Sequence, residues 1–178
     1  MSTLTVKELA APTGFDLKIA SGETLDLKSQ GTVTMPTGSI LQVVSATSTG
    51  NLSTNSTSYV ASNLSATITP TSTSSKIYIN MTGFMQQAAH QNHGYITIYR
   101  DSTDLGALGS GSGSGFGNWY SESGGYAELF CGASYLDSPS STSAITYKIY
   151  VKASSSSSNI GFGNTGRYHS LTLMEVQG

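Results

Sequence analysis

From Phe15 to Gly38 the large apolar residues all fall at odd positions: Phe15, Leu17, Ile19, Leu25, Leu27, Val33 and Met35. Glycines at 22, 31 and 38 lie between or after these groups. Alternation with a period of two predicts short strands that each present one apolar face. So few large apolar residues cannot give one chain a core of its own here. Several copies around a common axis can, so the pattern predicts an intertwined neck over 15–38 and an obligate oligomer. Residues 1–14 before it read as an arm, with Leu4 and Val6 suited to a strand and a helical turn ending before Pro12.

After Gly38 the rhythm changes to longer strands separated by Ser/Thr/Gly loops. Ile40, Leu41, Val43 and Val44 stand nearly in a row and predict a strand covered on both faces. Leu64, Ala66 and Ile68 alternate, then Ile77, Ile79 and Met81, then Ile96 and Ile98. Leu129, Cys131, Ala133 and Tyr135 give another strand, and Ile145, Tyr147, Ile149 and Val151 the clearest one, with Lys148 and Lys152 facing out. The last runs from Leu171 to Val176. About eight short strands with polar turns predict an all-β sandwich, jelly roll or barrel over 39–178. Two stretches read as loops without core: the Gly/Ser alternation from Gly106 to Gly117, and the serine run Ser154–Ser158 with the segment Asn159–Asn164 after it.

Composition sharpens this picture. Charged residues are 10% of the 178, against an ordinary quarter, while Ser and Thr supply nearly a third. Such a surface suits a β-protein kept soluble by hydroxyls. The net charge is −2 with scattered Lys and Arg, which argues against nucleic acid as a partner. No apolar run approaches the ~20 residues of a membrane span, and the N-terminus lacks the basic start and apolar core of a signal peptide. Cys131 is the sole cysteine and reads as a buried small apolar residue, so packing rather than disulfides must hold the chain together.

The order of features resembles the C-terminal parts of small bacteriophage fibre proteins, of tail and head fibres alike. The resemblance rests on the glycine-punctuated neck leading into Gly38-Ser-Ile-Leu-Gln-Val-Val44, on Tyr99-Arg-Asp-Ser-Thr-Asp-Leu-Gly106 and on the ending Leu171-Thr-Leu-Met-Glu-Val176. It implies a homotrimer with an intertwined β neck and a jelly-roll-like β-sandwich head. It also implies a virion protein made in the host cytoplasm, docked on other virion proteins through the N-terminal arm. It transfers no catalytic residues and no cofactor. The short anchor before the neck leaves room for a capsid fibre or decoration protein.

Candidate chemistry is sparse. His90 and His93 are spaced for a shared ion only if a third ligand approaches, and they read instead as part of a polar turn between strands ending near Met85 and starting near Tyr95. Asp101 and Asp104 read as turn formers. Glu122 and Glu128 are the best pair for glycan cleavage, which needs two placed acids. Aromatic residues cluster beside the two loops: Phe116, Trp119, Tyr120 and Tyr126 after the first, and Arg167 and Tyr168 after the second. Such rings either stack on sugars in a receptor or pack at strand ends. The functional expectation is a non-enzymatic trimeric fibre whose head adsorbs to a host-surface glycan or protein. The alternatives are a capsid decoration protein and a glycan-cleaving tail spike.

Overall fold

The computed structural model describes residues 21–22, 35–88, 93–107, 115–120, 127–164 and 166–178. The chain divides into two units, Met1–Thr34 and Met35–Gly178. In the first, residues 21–22 form a turn with Gly22 at φ +88°. The neck residues Leu17, Ile19, Leu25, Leu27 and Val33, and the arm before them, lie outside the described residues; Met35 is described and exposed.

The second unit is built of eleven strands: β1 (Ile40–Ser48), β2 (Leu52–Thr54), β3 (Val60–Ile68), β4 (Lys76–Ala88), β5 (His93–Arg100), β6 (Thr103–Asp104), β7 (Gly117–Tyr120), β8 (Ala127–Asp137), β9 (Ile145–Ala153), β10 (Asn159–Phe162) and β11 (His169–Val176). Among the described residues there is no helix, and so none long and apolar enough to cross a membrane. The strands form two antiparallel sheets. The first has the order β1-β11-β4-β10-β2, with β8 along the other side of β4. The second has the order β3-β9-β5-β6, with β7 also on β5.

Four pairings are nested: β1 with β11, β3 with β9, β4 with β8 and β5 with β7. First pairs with last and inner with inner, as in one long hairpin folded over on itself. That is the jelly-roll form of the sandwich, and it emerges from the strand order alone. The alternation read in the sequence places the core. Ile77, Ile79 and Met81 of β4 and Leu171 and Leu173 of β11 meet Ile96 and Ile98 of β5 and Tyr147, Ile149 and Val151 of β9, all buried. Each such side chain contributes about 1.5–3 kcal/mol by leaving water.

Glycine is required at two places. Ser39 N–H donates to the Pro36 carbonyl across a turn whose third residue, Gly38, has φ +88°. Gly163 has φ +87°, and a Cβ there would lie 2.3 Å from the Gly50 carbonyl oxygen, so no other residue fits the break between β10 and β11.

Three features differ from the sequence reading. The segment Asn159–Asn164 is not a coreless loop: Asn159–Phe162 is a strand, and Ile160 and Phe162 are buried. Phe162 fits because β4 carries Gly83 against the end of its ring, where a Cβ would stand 2.7 Å away. Second, β1 is covered on one face only. Val44 and Ala46 pack on the core, whereas Ile40 and Val43 point outward and are 54% and 55% exposed, because among the described residues no layer lies over this face. Third, Cys131 is half-buried rather than buried, because among the described residues β8 is an edge strand paired with β4 alone. Outward-facing apolar residues form a row across four strands, Val43–Met174–Tyr78–Leu136, in direct register.

Two buried carboxylates were not singled out in the sequence. Glu175 is fully buried and accepts hydrogen bonds from Thr71 N at 2.6 Å, Thr71 Oγ1 at 2.7 Å and Gln42 Nε2 at 2.7 Å. Burial pushes its carboxyl up, but the hydrogen bonds from Gln42 and Thr71 outweigh that and hold it below the ordinary glutamate value. A lowered folded value stabilises the protein above the ordinary carboxylate range and loses that contribution as pH falls through the folded value. Thermal unfolding of Glu175→Gln should therefore show its largest deficit near neutral pH, and the gap to the parent should narrow below about pH 4.

Candidate functional site

The outer face of the second sheet carries a ribbon of aromatic rings. In β5 the alternation puts Ile96 and Ile98 toward the core and His93, Tyr95, Thr97 and Tyr99 on the other face, where Tyr95 and Thr97 are nevertheless covered, at 8% and 0% exposure. In β9 it puts Lys148, Tyr150 and Lys152 on the same outer face, in direct register with Tyr99, Thr97 and Tyr95. β7 adds Tyr120 opposite His93, and Tyr59 stands at the entry to β3. The rings touch in sequence. Tyr120 and His93 have centroids 4.8 Å apart, and His93 stacks on Tyr95 at 5.9 Å. Tyr59 meets Tyr99 edge-on at 6.1 Å, and Tyr99 meets Tyr150 at 4.1 Å.

Lys152 joins the two halves. Its ammonium lies 4.6 Å from the Tyr59 centroid and 5.3 Å from that of Tyr95, within cation–π range. Neither Lys148 nor Lys152 has a carboxylate partner among the described residues, where the ion pairs are Arg100–Asp137 and Arg167–Glu128. A cavity of about 320 Å³ opens here, lined by Thr57, Tyr95, Lys152, Ala153 and Ser154. Burial, then the Asp104 charge, then Tyr150 raise the Tyr99 phenol above its ordinary value, so it stays protonated and able to donate. The arrangement offers flat apolar faces, hydroxyls and an ammonium on a rigid sheet, which is the chemistry of saccharide recognition.

The structure scatters the receptor residues read from the sequence. Tyr120 is on this ribbon and 46% exposed. Trp119 faces the other way: its partner Gly94 points at Ile160 and Met85 of the opposite sheet, and the indole Nε1 is buried without a hydrogen bond. Phe116 packs against the core and edge-on to Tyr135. Arg167 and Tyr168 belong to the β10–β11 connection beside the first sheet, where Arg167 pairs with Glu128 at 2.8 Å and covers the Phe84 ring. Tyr168 is 76% exposed. Tyr126 and Glu122 lie outside the described residues.

The ribbon escaped the sequence reading because its rings come from four separate segments and only cross-strand register joins them. The signal present was the outward Lys148 and Lys152, with Tyr150 between them.

His93 does not lie in the turn read from the sequence. β4 continues to Ala88 and His93 opens β5 with its ring in the ribbon, while His90 lies outside the described residues. Among the described residues no three His, Cys, Asp or Glu side chains gather as metal ligands. Asp101 (φ +50°) and Asp104 cap turns, accepting hydrogen bonds from Thr146 N and Gly106 N respectively. Glu128 is engaged by Arg167 and Asn164. Burial pushes the Cys131 thiol up to about 12, which leaves it protonated at neutral pH and unreactive.

No family model matches this chain, and no curated protein does. Among solved structures it is similar to the VP2 subviral particle of infectious bursal disease virus, at 14% identity and a TM-score of 0.41, over 88% of this chain and 42% of the other. The Gx strain of the same virus gives 13% identity and 0.42, over 88% and 41%. Its T13 viral particle gives 14% and 0.38, over 88% and 40%. The chain spans about two fifths of the length of these proteins. The jelly-roll assignment above rests on strand order and not on these similarities.

Proposed function

We propose that this chain is a non-enzymatic structural protein of a virion: a homotrimeric fibre whose neck gathers three copies and whose jelly-roll head adsorbs to glycan on a host surface. The observation that carries the adsorption reading is the ring ribbon with Lys152 on the outer face of the second sheet. Rings held by paired strands lose little freedom when a sugar stacks on them, so even a small contact area is productive. Each site is weak, and three on one stalk act together. The arm before the neck is the segment that would dock on other virion proteins.

The test uses the purified intact chain on an array of cell-surface glycans, with reducing-end analysis of any glycan retained. Binding without chain shortening is expected, and Tyr120→Ala, at the exposed end of the ribbon, should weaken it about two- to tenfold, the worth of one aromatic contact. Absence of binding to every saccharide would overturn adsorption through this face, and shortened glycan would overturn the non-enzymatic reading.

One observation favours the second reading, a capsid decoration protein. The outward row Val43–Met174–Tyr78–Leu136 and the free edge of β8 leave apolar surface that packing in a shell would cover. Immunogold labelling of particles separates the two, as stalk-tip label supports the fibre and evenly spread shell label the decoration protein.

A further inference from the structure

We infer that the cavity between Tyr95 and Lys152 selects a sugar that bears a carboxylate. The inference rests on the reading that this face binds saccharide, and it names the class. Lys152 leaves β9 on the outer face, and its ammonium is held over Tyr59 and Tyr95 rather than spent on an acid. Lys148 stands four residues earlier on the same face, about 13 Å along the strand. On a chain of net charge −2, two cations without a carboxylate partner among the described residues make this face locally positive. Asp104, whose charge acts on Tyr99 at the end of the ribbon, is already engaged by Thr97 Oγ1 and Gly106 N.

The cavity's size and lining fit one charged sugar unit. At about 320 Å³ it is at the small end of ligand pockets, which run from about 300 to 1,000 Å³. That volume holds one or two sugar residues, not a long chain lying in depth. Tyr95, 8% exposed, forms one wall, Thr57 and Ser154 line the rim, and Lys152 stands where a ring substituent would meet it. A single ammonium matches a single carboxylate. The arginine of β5, Arg100, is committed to Asp137, so the cation at the cavity is a point charge rather than a bidentate fork.

The ring contacts also explain why the charge is ready to act. Stacking over two phenols restricts the lysine stem, so less rotamer freedom is lost when an anion arrives. A carboxylate placed against Lys152 keeps both ring contacts while gaining the ion pair.

The experiment compares ligands by calorimetry on the intact protein: tri-galacturonic acid and 3′-sialyllactose, the neutral sugars trigalactose and lactose, and galactose 6-phosphate. At least one acidic sugar should bind about tenfold more tightly than its neutral counterpart, and raising salt should erode that preference. Lys152→Gln should bring the acidic-to-neutral ratio to about one, and Lys152→Arg should retain it. Lys148→Gln, further from the cavity, should lower the ratio less. Unfolding temperature is followed for each variant, so a loss of ratio counts only where the fold is intact. Equal affinity for acidic and neutral sugars would overturn the carboxylate inference and leave saccharide adsorption standing. Tighter binding of the phosphate would overturn it in favour of another anion, and no binding of any sugar would remove both readings.

Discussion

Asp137→Ala should destabilise the head by about 3 kcal/mol, at the low end of the range for breaking a buried ion pair because Arg100 retains some contact with water. Asp137 is 5% exposed and ends β8 in the first sheet. It accepts from Arg100 Nη1 at 2.9 and 3.0 Å, and from the Tyr147 hydroxyl at 2.7 Å. Both donors come from the second sheet, so one carboxylate ties the two layers together. Burial, together with the Asp137 hydrogen bond, pushes the Tyr147 phenol well above its ordinary value. That hydroxyl cannot ionise to relieve the loss of its acceptor. Removing the acid leaves a guanidinium and a buried hydroxyl unpaired, which costs more than the bonds themselves gave. For a unit of this size the melting temperature should fall by about 10 °C. Asp137→Asn keeps one acceptor oxygen and should lose less. Scanning calorimetry checks both, and a loss under about 1 kcal/mol in the alanine variant would remove Asp137 from its place as the inter-sheet tie.

The second large effect belongs to the neck. Leu25→Asp with Leu27→Asp puts two carboxylates per chain into a seam predicted to be apolar, and charge in such a seam is costly. The head has its own core from Met35 onward and should remain folded, with the parent's thermal transition. Adsorption to a glycan-coated surface should nevertheless fall by about 10²-fold, because three linked sites become single weak ones. Surface plasmon resonance at low and high glycan density measures this. The deficit should vanish at the lowest density, where single sites dominate, and unchanged binding at high density would argue against avidity.

Much of the sandwich was legible because buried strands announce themselves. Ile77-Tyr-Ile-Asn-Met81 and Ile145-Thr-Tyr-Lys-Ile149 alternate without interruption, and every inward position of both is buried. Exposure of β1 and β8 was harder to read. A run such as Leu41-Gln-Val-Val44 has the same composition whether or not a layer covers its second face, so periodicity cannot report the missing layer. β10 hid behind a serine run because Gly161 and Gly163 resemble loop residues, although they are there to let the chain pass close to Leu52 and Gly50. The candidate site was the least legible part. Tyr59, Tyr95, Tyr120 and Tyr150 lie far apart in the chain, and their contacts exist only through the pairing of β5 with β7 and β9. Clustering in sequence instead favoured Trp119 and Phe116, which the pleat turns toward the core.

The most direct test of the account is the solution mass of the intact chain by sedimentation equilibrium at micromolar concentration. Identical copies assembled through the apolar seam of residues 15–38 should give about three times the 18.5 kDa of one chain, without dissociation on dilution through that range. A stable single species of one chain's mass would contradict it.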